Sequence, residues 1–433
     1  MIRRVALISE HASPAAIPGG VDCGGQNVYV AQLALHLARR GIAVDVFTRR
    51  DRGDLPEVQR WAPGVRIVHA AAGPATAVCK EALLPFMDDF ARFAIDFAAD
   101  EGLTYDIVHA NFWMSGLVAL AMKRALDVPV VVTFHALGRV RRQHQGDADR
   151  SPADRPLLEE EIVRLADGLV AECPQDEIDL VTLYGADPAR MRLIPCGVDS
   201  ARFHPVPQAS ARRAIGLTTD GPCLLQLGRM VPRKGVDDAI RATALVRHTY
   251  GIPARLLVVG GDTDDPRTCP TPELERLQCV ARAHDVDDAV TFVGQRGGDA
   301  LRYYYSAADA FLTLPWYEPF GMTALESMAC GTPVVASCVG GLTYSILDGV
   351  TGFLVPPRDP AAAAERATVL LSTPAVRASF AEAALRDVRA RFTWEDVASS
   401  MMTLYEAARD RARGPSVRSI MRRFPELTED VSA

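Results

Sequence analysis

The sequence predicts an α/β fold in which two doubly wound, Rossmann-like domains face each other across a cleft. Short apolar runs rich in β-branched residues alternate with amphipathic stretches along the chain. The alternation restarts after residues 203–209, where two prolines within three positions indicate a linker. Because uninterrupted apolar runs belong to strands buried on both faces, each half is expected to hold a parallel sheet covered by helices.

The first half contains a clear helix and several buried strands. The helix is predicted over residues 26–40, since apolar residues recur there at helical spacing and Gly41 follows as a stop signal. The strands are predicted at residues 4–8, 43–47, 106–110 and 128–134. Gly19–Gly25 is a glycine-rich loop between the first strand and the helix.

The second half repeats the pattern and completes the domain prediction. Its strands are predicted at residues 223–228, 255–260, 289–293, 310–314 and 333–336. The expected domains are therefore residues 1–207 and 208–390, with 391–433 as a separate C-terminal segment. Ligands of such sheets bind at the carboxyl ends of the strands, so we expect the site in the cleft between the domains.

Composition argues against several classes of protein. The 433 residues carry 47 Lys and Arg against 54 Asp and Glu, and this net charge of −7 disfavours a nucleic-acid binder. The nine cysteines are odd in number and lack C-x-x-C spacing, so reduced thiols in the cytoplasm are expected and a zinc site is not. No apolar run approaches the ~20 residues of a membrane span. Nothing in the sequence indicates the oligomeric state.

Two loops are candidates for binding phosphate. In Gly19–Gly25 the glycines would let backbone N–H groups approach an anion at the start of the helix, although a flexible turn fits the spacing equally well. Gly228 ends a strand and opens a loop that carries Arg229 and Lys234. A guanidinium fork and a point charge there suit a diphosphate; the alternative is a solvated basic loop.

Residues 316–326 form a third candidate. Glu318 precedes a predicted helix and Glu326 lies eight residues later, so both carboxylates could face one ligand. A carboxylate accepts hydrogen bonds from paired sugar hydroxyls, and the backbone N–H groups of 320–322 would point at an anion. A capping role for Glu318 and a solvent-facing Glu326 are the alternatives that the spacing leaves open.

His135 and a group of cations are the remaining candidates. His135 follows a strand and is well placed for the cleft, although a histidine bonded to a backbone carbonyl is as good an interpretation. A basic run comes directly after it and could surround an anionic acceptor or form an exposed helix. These candidate acceptor-binding cations are Lys80, Arg139, Arg141 and Arg142.

Together these motifs resemble the retaining glycosyltransferases of family four, which have the GT-B fold. The resemblance covers nearly the whole chain, and its most specific part is the E-x7-E pair Glu318 and Glu326 followed by Gly-Thr-Pro-Val-Val at 331–335. Residues 392–394 and the helix after them look like the family's C-terminal segment, which crosses back onto the first domain. The supporting motifs are Asp22–Asn27, 133–135, 194–199 and Gly228–Arg229 with Lys234–Gly235.

The resemblance implies a role for each candidate residue. Arg229 and Lys234 would hold the diphosphate of a nucleotide sugar, without a metal ion or cofactor. Glu326 would bind the ribose, Glu318 the transferred sugar, and His135 would lie near the reacting carbon. We expect Arg229, Lys234, Glu318 and His135 to be catalytic. The other donor-binding residues implied are Gly24, Gly25, Gly228, Phe320, Gly321 and Met322.

The implied reaction is a transfer with retention from a nucleotide-diphosphate hexose, with a UDP-sugar expected as donor. The acceptor hydroxyl would attack on the face that the diphosphate leaves. The N-terminal half is similar to the sucrose-phosphate synthase group through residues 135–139, and to the inositol-phosphate N-acetylglucosaminyltransferases through 24–29. Both groups use phosphorylated acceptors, which suits the four candidate cations. Cys23 stands where these relatives often have Thr or Ser.

Other functions remain open from the sequence. One is a sugar-nucleotide epimerase, since at least one such enzyme shares the GT-B fold. Another is a transferase that acts on a lipid or polysaccharide acceptor. The E-x7-E pair and the Arg229–Lys234 loop favour a transferase over an epimerase. A lipid acceptor is ranked lower because the first domain shows no evident basic amphipathic stretch with large apolar anchors.

Overall fold

The computed structural model describes residues 1–16, 24–217, 221–269 and 271–414. These residues form two α/β units, each built on a twisted sheet whose strands are covered by helices on both faces. The predicted fold class is therefore confirmed. Residues 17–23, which include most of the predicted glycine loop, and the tail after Gly414 lie outside the described residues.

The first sheet has eight strands in the order β3-β4-β2-β1-β5-β6-β7-β8. All neighbours pair in parallel except β3, which runs antiparallel to β4 at one edge. The reversal of order around β1 places a switch point between β1 and β5. The strands are β1 Arg4–Ile8, β2 Ala43–Arg49, β3 Val58–Ala62, β4 Val65–Ala70, β5 Ile107–Asn111, β6 Val130–Thr133, β7 Gly168–Ala171 and β8 Met191–Leu193.

Six helices cover this sheet. They lie in the connections between strands that run in parallel, because such strands need long crossover connections. A short 3-10 turn at Lys80–Ala82 precedes the second helix. The helices are α1 Gly25–Arg39, α2 Met87–Asp100, α3 Trp113–Leu126, α4 Gly138–Gln145, α5 Arg155–Leu165 and α6 Pro174–Tyr184.

The second sheet has six parallel strands in the order β11-β10-β9-β12-β13-β14. Its strands are β9 Cys223–Leu227, β10 Arg255–Val259, β11 Val290–Gly294, β12 Ala310–Thr313, β13 Val334–Ser337 and β14 Gly352–Val355. The helices of this half are α7 Gln208–Ala214, α8 Val236–His248, α9 Pro272–Ala283, α10 Leu301–Ala307, α11 Met322–Ala329, α12 Leu342–Ser345, α13 Pro360–Ser372 and α14 Pro374–Arg391.

All nine predicted strands are present, but the sequence analysis missed β3, β4, β7, β8 and β14. Strand β3 is an antiparallel edge strand with half-exposed residues, so it lacks the continuous apolar run of the central strands. Strands β7 and β14 have four residues each and begin with glycine. A short run that opens on glycine gives little periodic signal.

The last helix, α15 Trp394–Ala412, returns to the first sheet. The backbone N–H of Val198 donates to the carbonyl of Phe392 at 2.9 Å, just before the helix begins. The Tyr405 hydroxyl lies 2.7 Å from Nδ1 of His109, a buried residue of β5 in the first sheet. Gly197 leaves room for this return, because a Cβ there would lie 2.7 Å from the backbone nitrogen of Trp394.

Candidate active site

The carboxyl ends of the two sheets face each other across a cleft. From the first domain, Gly24 and Gly25 stand at the start of α1. A Cβ on Gly24 would lie 3.7 Å from Nε of Arg229, and one on Gly25 would lie 3.2 Å from Sδ of Met322. Both neighbours belong to the second domain, so these glycines allow the two halves to approach closely.

His135 lies in the cleft two residues after β6. Its ring is held between two oxygen atoms, with Nδ1 3.1 Å from Oε1 of Glu172 and Nε2 3.1 Å from Oδ1 of Asn111. The Tyr29 ring packs edge-on at 4.7 Å between centroids. His135 has a φ of 57°, a left-handed conformation that is strained for a residue with a Cβ. Backbone strain of this kind is concentrated at functional sites.

Lys234 and Glu318 form the centre of the second domain's contribution. Nζ of Lys234 makes a short ion pair with Oε2 of Glu318, and both side chains are largely buried. The loop geometry depends on Gly235, which has a φ of 64° and lies against the carbonyl of Leu314. A Cβ there would come within 1.9 Å of that oxygen, so only glycine fits. The loop that carries Arg229 and Lys234 is thus in direct contact with the loop that carries Glu318.

The electrostatic environment shifts the pKa values of this pair. Burial lowers the pKa of Lys234 to about 8; Glu318 opposes this effect, whereas Arg233 and Arg229 add to it. Burial alone would raise the pKa of Glu318, but Lys234 and Arg233 outweigh it and the pKa lies below its ordinary value. Glu318 is therefore ionised at neutral pH, surrounded by an excess of positive charge.

Glu326 lies about one turn into α11, eight residues after Glu318, and has a different environment. Its Oε2 accepts a hydrogen bond of 2.8 Å from the Tyr305 hydroxyl. Burial raises the pKa of Glu326 to about 7, although the Tyr305 hydrogen bond and Arg202 both lower it. The two glutamates of the E-x7-E pair thus differ in charge near neutral pH: one is ionised and the other is half protonated.

The backbone between these glutamates is held by two glycines, Gly321, which the sequence analysis named, and Gly341, which it did not. Gly321, with a φ of 95°, caps α11, and no acidic side chain lies in the first turn. The backbone N–H of Gly341 donates to the carbonyl of Glu318 at 3.0 Å. A Cβ on Gly341 would lie 2.4 Å from Cα of Phe320, so this segment packs closely against the loop. The start of the helix, including Met322, is therefore open to an anion.

The four candidate acceptor cations separate into two groups. Lys80 and Arg141 line one cavity, which also includes the buried Arg155. Glu81 holds them together, with carboxylate distances of 3.6 Å to Lys80 and 3.4 Å to Arg141. Asp149 lies 2.9 Å from Nε of Arg141. This cavity presents two cations that a phosphate could reach.

Arg139 and Arg142 do not join that cavity. The Arg139 guanidinium makes short contacts with the Leu183 carbonyl and Glu160, and lies over the Tyr184 ring at 5.0 Å. Arg142 is exposed. The sequence could not separate these arginines without the orientation of α4.

Further residues of the site carried no sequence signal. Glu172 and Asn111 hold His135, and Tyr305 holds Glu326, but each lies far from its partner in the chain. Among the described residues, no three His, Cys, Asp or Glu side chains are grouped as metal ligands. No helix in the described ranges is long and apolar enough to cross a membrane.

Two facing Rossmann-like sheets with a cleft between them are the architecture of the GT-B fold. Residues 23–202 match the model of Glycosyltransferase Family 4, and residues 207–387 match that of Glycosyl transferases group 1. The chain belongs to glycosyltransferase family 4, as the resemblance implied, and it is a glycosyltransferase.

Curated relatives support this assignment over almost the full chain. A D-inositol 3-phosphate glycosyltransferase of Acidothermus cellulolyticus is 41% identical over 94% of this chain and 90% of its own length. The enzyme of the same name from Actinosynnema mirum is 39% identical over 94% of this chain and 98% of its own.

Two solved structures share this fold over nearly the whole chain. A sucrose-phosphate synthase from Thermosynechococcus elongatus has a TM-score of 0.85 and 37% identity, covering 93% of this chain and 98% of that one. Anabaena HepE, solved with UDP and glucose, has a TM-score of 0.72 at 17% identity, covering 94% of this chain and 100% of its own, and shares the fold.

Proposed function

We propose that the protein transfers a hexose, with retention, from a nucleotide-diphosphate sugar to a small phosphorylated acceptor, without a metal ion or cofactor. The observation that supports this most directly is the buried Lys234–Glu318 pair, which lies near Arg229 at the carboxyl end of the second sheet. Uridine is the base we expect in the donor. The cytoplasm is the expected compartment, since donor and acceptor are both small and polar.

In this proposal the donor is bound by charge and by hydroxyl contacts. Arg229 and Lys234 hold the diphosphate, and Gly24, Gly25 and Gly228 allow the backbone to approach it. The backbone N–H groups at the start of α11, from Phe320 through Gly321 to Met322, help Glu318 hold the hexose, and Glu326 accepts hydrogen bonds from the ribose. The cations stabilise the charge that develops on the leaving diphosphate, as a metal ion does in other enzymes.

The proposed chemical step breaks one bond and forms another on the same face of the sugar. The bond between the anomeric carbon and the diphosphate oxygen breaks, and the acceptor oxygen forms the new bond to that carbon. The acceptor proton passes to a diphosphate oxygen, so the products are the glycoside and a nucleoside diphosphate. His135, whose ring is held by Glu172 and Asn111, would orient the hexose near its reacting carbon.

The acceptor is proposed from the cationic cavity and from the relatives. Lys80 and Arg141 line the same cavity, and a phosphate group suits a site with two cations. The relatives described above are named for inositol 3-phosphate and for sucrose-phosphate synthesis, so inositol phosphate and a hexose phosphate are the two acceptors to test.

The first experiment identifies the donor and then the acceptor. A thermal-shift screen of nucleoside diphosphates and their sugars selects the donor. The selected donor is then incubated with inositol phosphate or fructose 6-phosphate, with and without EDTA. Transfer to one of these that EDTA does not affect supports the proposal. Rapid formation of an epimer from the donor alone would instead identify an epimerase.

Substitutions at the paired residues test the assigned site. Glu318→Gln and Lys234→Met are each expected to lower kcat by about 10²-fold or more, the usual effect of losing one transition-state electrostatic contact. Glu365→Gln, at an exposed position of α13, is the matched control and should leave kcat unchanged. Turnover of Glu318→Gln close to that of wild type would contradict the assignment.

A further inference from the structure

Tyr317 contacts both domains. It directly precedes Glu318, and its side chain is buried. Its ring stacks on that of His144 with 5.2 Å between centroids and 15° between planes, and its hydroxyl lies 3.2 Å from Nε2 of Gln145. On the second domain, the Arg233 guanidinium lies over the same ring at 5.1 Å. Tyr317 therefore links the two halves of the protein.

The linked elements are those that carry the two substrates in the proposed function. His144 and Gln145 end α4, the helix that begins shortly after His135 and carries Arg141. Arg233 directly precedes Lys234, and its carbonyl accepts a hydrogen bond of 2.9 Å from the backbone N–H of Trp316. A movement of α4 would thus be transmitted through the Tyr317 side chain to the loop that carries Arg233 and Lys234.

The charges around His144 favour this stack at neutral pH. Burial lowers the pKa of His144, and Arg358 adds to that effect while Asp179 opposes it. A neutral imidazole can stack on Tyr317 without repelling Arg233, whose guanidinium also lies over that ring. The arrangement is then an aromatic pair with one cation, in which both contacts are favourable.

We propose that Tyr317 is a positioning residue that holds α4 against the donor loop, so that the acceptor hydroxyl takes the hexose in preference to water. This inference rests on the proposed function. In transfer, the acceptor oxygen bonds to the anomeric carbon as the diphosphate leaves. In hydrolysis, a water oxygen takes that place, giving the free hexose and the same nucleoside diphosphate. Without the link, the acceptor side of the cleft opens and water enters.

The test compares transfer with hydrolysis in three variants and a control. Tyr317→Ala and His144→Ala should raise the ratio of hydrolysis to transfer about tenfold and raise the KM of the acceptor, while nucleoside diphosphate affinity stays within about threefold. Tyr317→Phe keeps the ring and loses only the Gln145 contact, so its ratio should change less. Tyr250→Ala, at a tyrosine that is 43% exposed, should match wild type.

A second measurement does not depend on the substrates. Backbone amides of residues 138–145 should exchange at least fivefold faster in Tyr317→Ala, with no change in Tyr250→Ala. Absence of transfer in wild type, with this exchange difference present, would overturn the proposed acceptor and leave the link standing. Unchanged exchange, or a ratio of hydrolysis to transfer like that of wild type in both Tyr317→Ala and His144→Ala, would overturn the inference. His144 is exposed, so its variant tests the link even if Tyr317→Ala does not fold.

Discussion

Lowering the pH should weaken donor binding through Glu326. In the proposed function this carboxylate accepts hydrogen bonds from the ribose hydroxyls, which requires the ionised form. Burial raises its pKa to about 7, well above that of an ordinary glutamate. A donor that binds only the ionised form must therefore displace a proton below neutral pH, and its affinity falls as protonation increases.

The size of the effect follows from the pKa. About ten-elevenths of a group is ionised one pH unit above its pKa and about one-eleventh one unit below it, so protonation of Glu326 alone should lower affinity about tenfold between pH 8 and pH 6. This corresponds to about 1.4 kcal/mol; because Lys234 is about half neutral at pH 8, the net fall between the two pH values is about fivefold. At the alkaline end, Lys234 has a pKa of about 8, so affinity should fall again above that value as its positive charge is lost. The expected profile is a bell with its maximum between these two values.

Isothermal titration calorimetry with an intact nucleotide sugar measures this profile. The intact donor is preferable to a nucleoside diphosphate, whose terminal phosphate itself titrates near neutral pH. Glu326→Gln should bind more weakly and lose the acidic limb, and a 2′,3′-dideoxy donor should lose it in the wild-type protein. Equal wild-type affinity at pH 6 and pH 8 would refute the reasoning, because the carboxylate would then make no ionisation-dependent contact with the donor.

Three further substitutions test the acceptor cavity, the support of Glu326 and the C-terminal helix. Lys80→Ala should raise the KM of a phosphorylated acceptor by about 10-fold or more, and Arg142→Ala by no more than about twofold; similar values from steady-state kinetics would contradict the cavity assignment. Tyr305→Phe should weaken donor binding about fivefold at pH 7 and move the acidic limb upward, as calorimetry across pH would show. Gly197→Ala places a Cβ against Trp394 and should lower Tm by roughly 3–10 °C; an unchanged melting curve would mean that the C-terminal return adapts freely.

Much of the fold, and the positions of the candidate residues of the second domain, could be predicted because the sequence patterns that indicate them are local. Each central strand is a continuous apolar run followed by its loop residues, so Gly228 and Arg229 are assigned to a strand end from the sequence alone. The eight-residue spacing of Glu318 and Glu326 is likewise set by one loop and one helix. In such cases, residues that are close in the sequence are also close in the folded protein.

The partners of these residues could not be predicted, because they are brought together only by the sheet. Glu172 follows β7 and Asn111 ends β5, on either side of β6, and they meet at His135 since parallel strands end at one edge. Tyr305 reaches Glu326 from α10, a different helix from the α11 that carries the glutamate. Long-range contacts of this kind leave no periodic mark in the sequence.

The basic run shows how a helix separates residues that the sequence groups. At about 100° per residue, Arg141 projects about 200° from Arg139 around α4. The two side chains therefore meet different partners, Glu81 in one case and Glu160 in the other. Of these two arginines, only Arg141 therefore lines the cavity that also includes Lys80.

The shifted pKa values show how the unliganded site is prepared for its donor. Arg229, Arg233 and Lys234 surround a single ionised carboxylate, Glu318, while Glu326 is half protonated near pH 7. The pocket thus carries excess positive charge; the pKa of Lys234 is low chiefly because its side chain is buried, and Arg233 and Arg229 lower it further. In the proposed function, a diphosphate would supply the compensating negative charge and raise the pKa of Lys234 again, so part of the binding energy would come from cations that the folded protein already holds together. The same charges would favour a donor that carries a diphosphate over a neutral sugar.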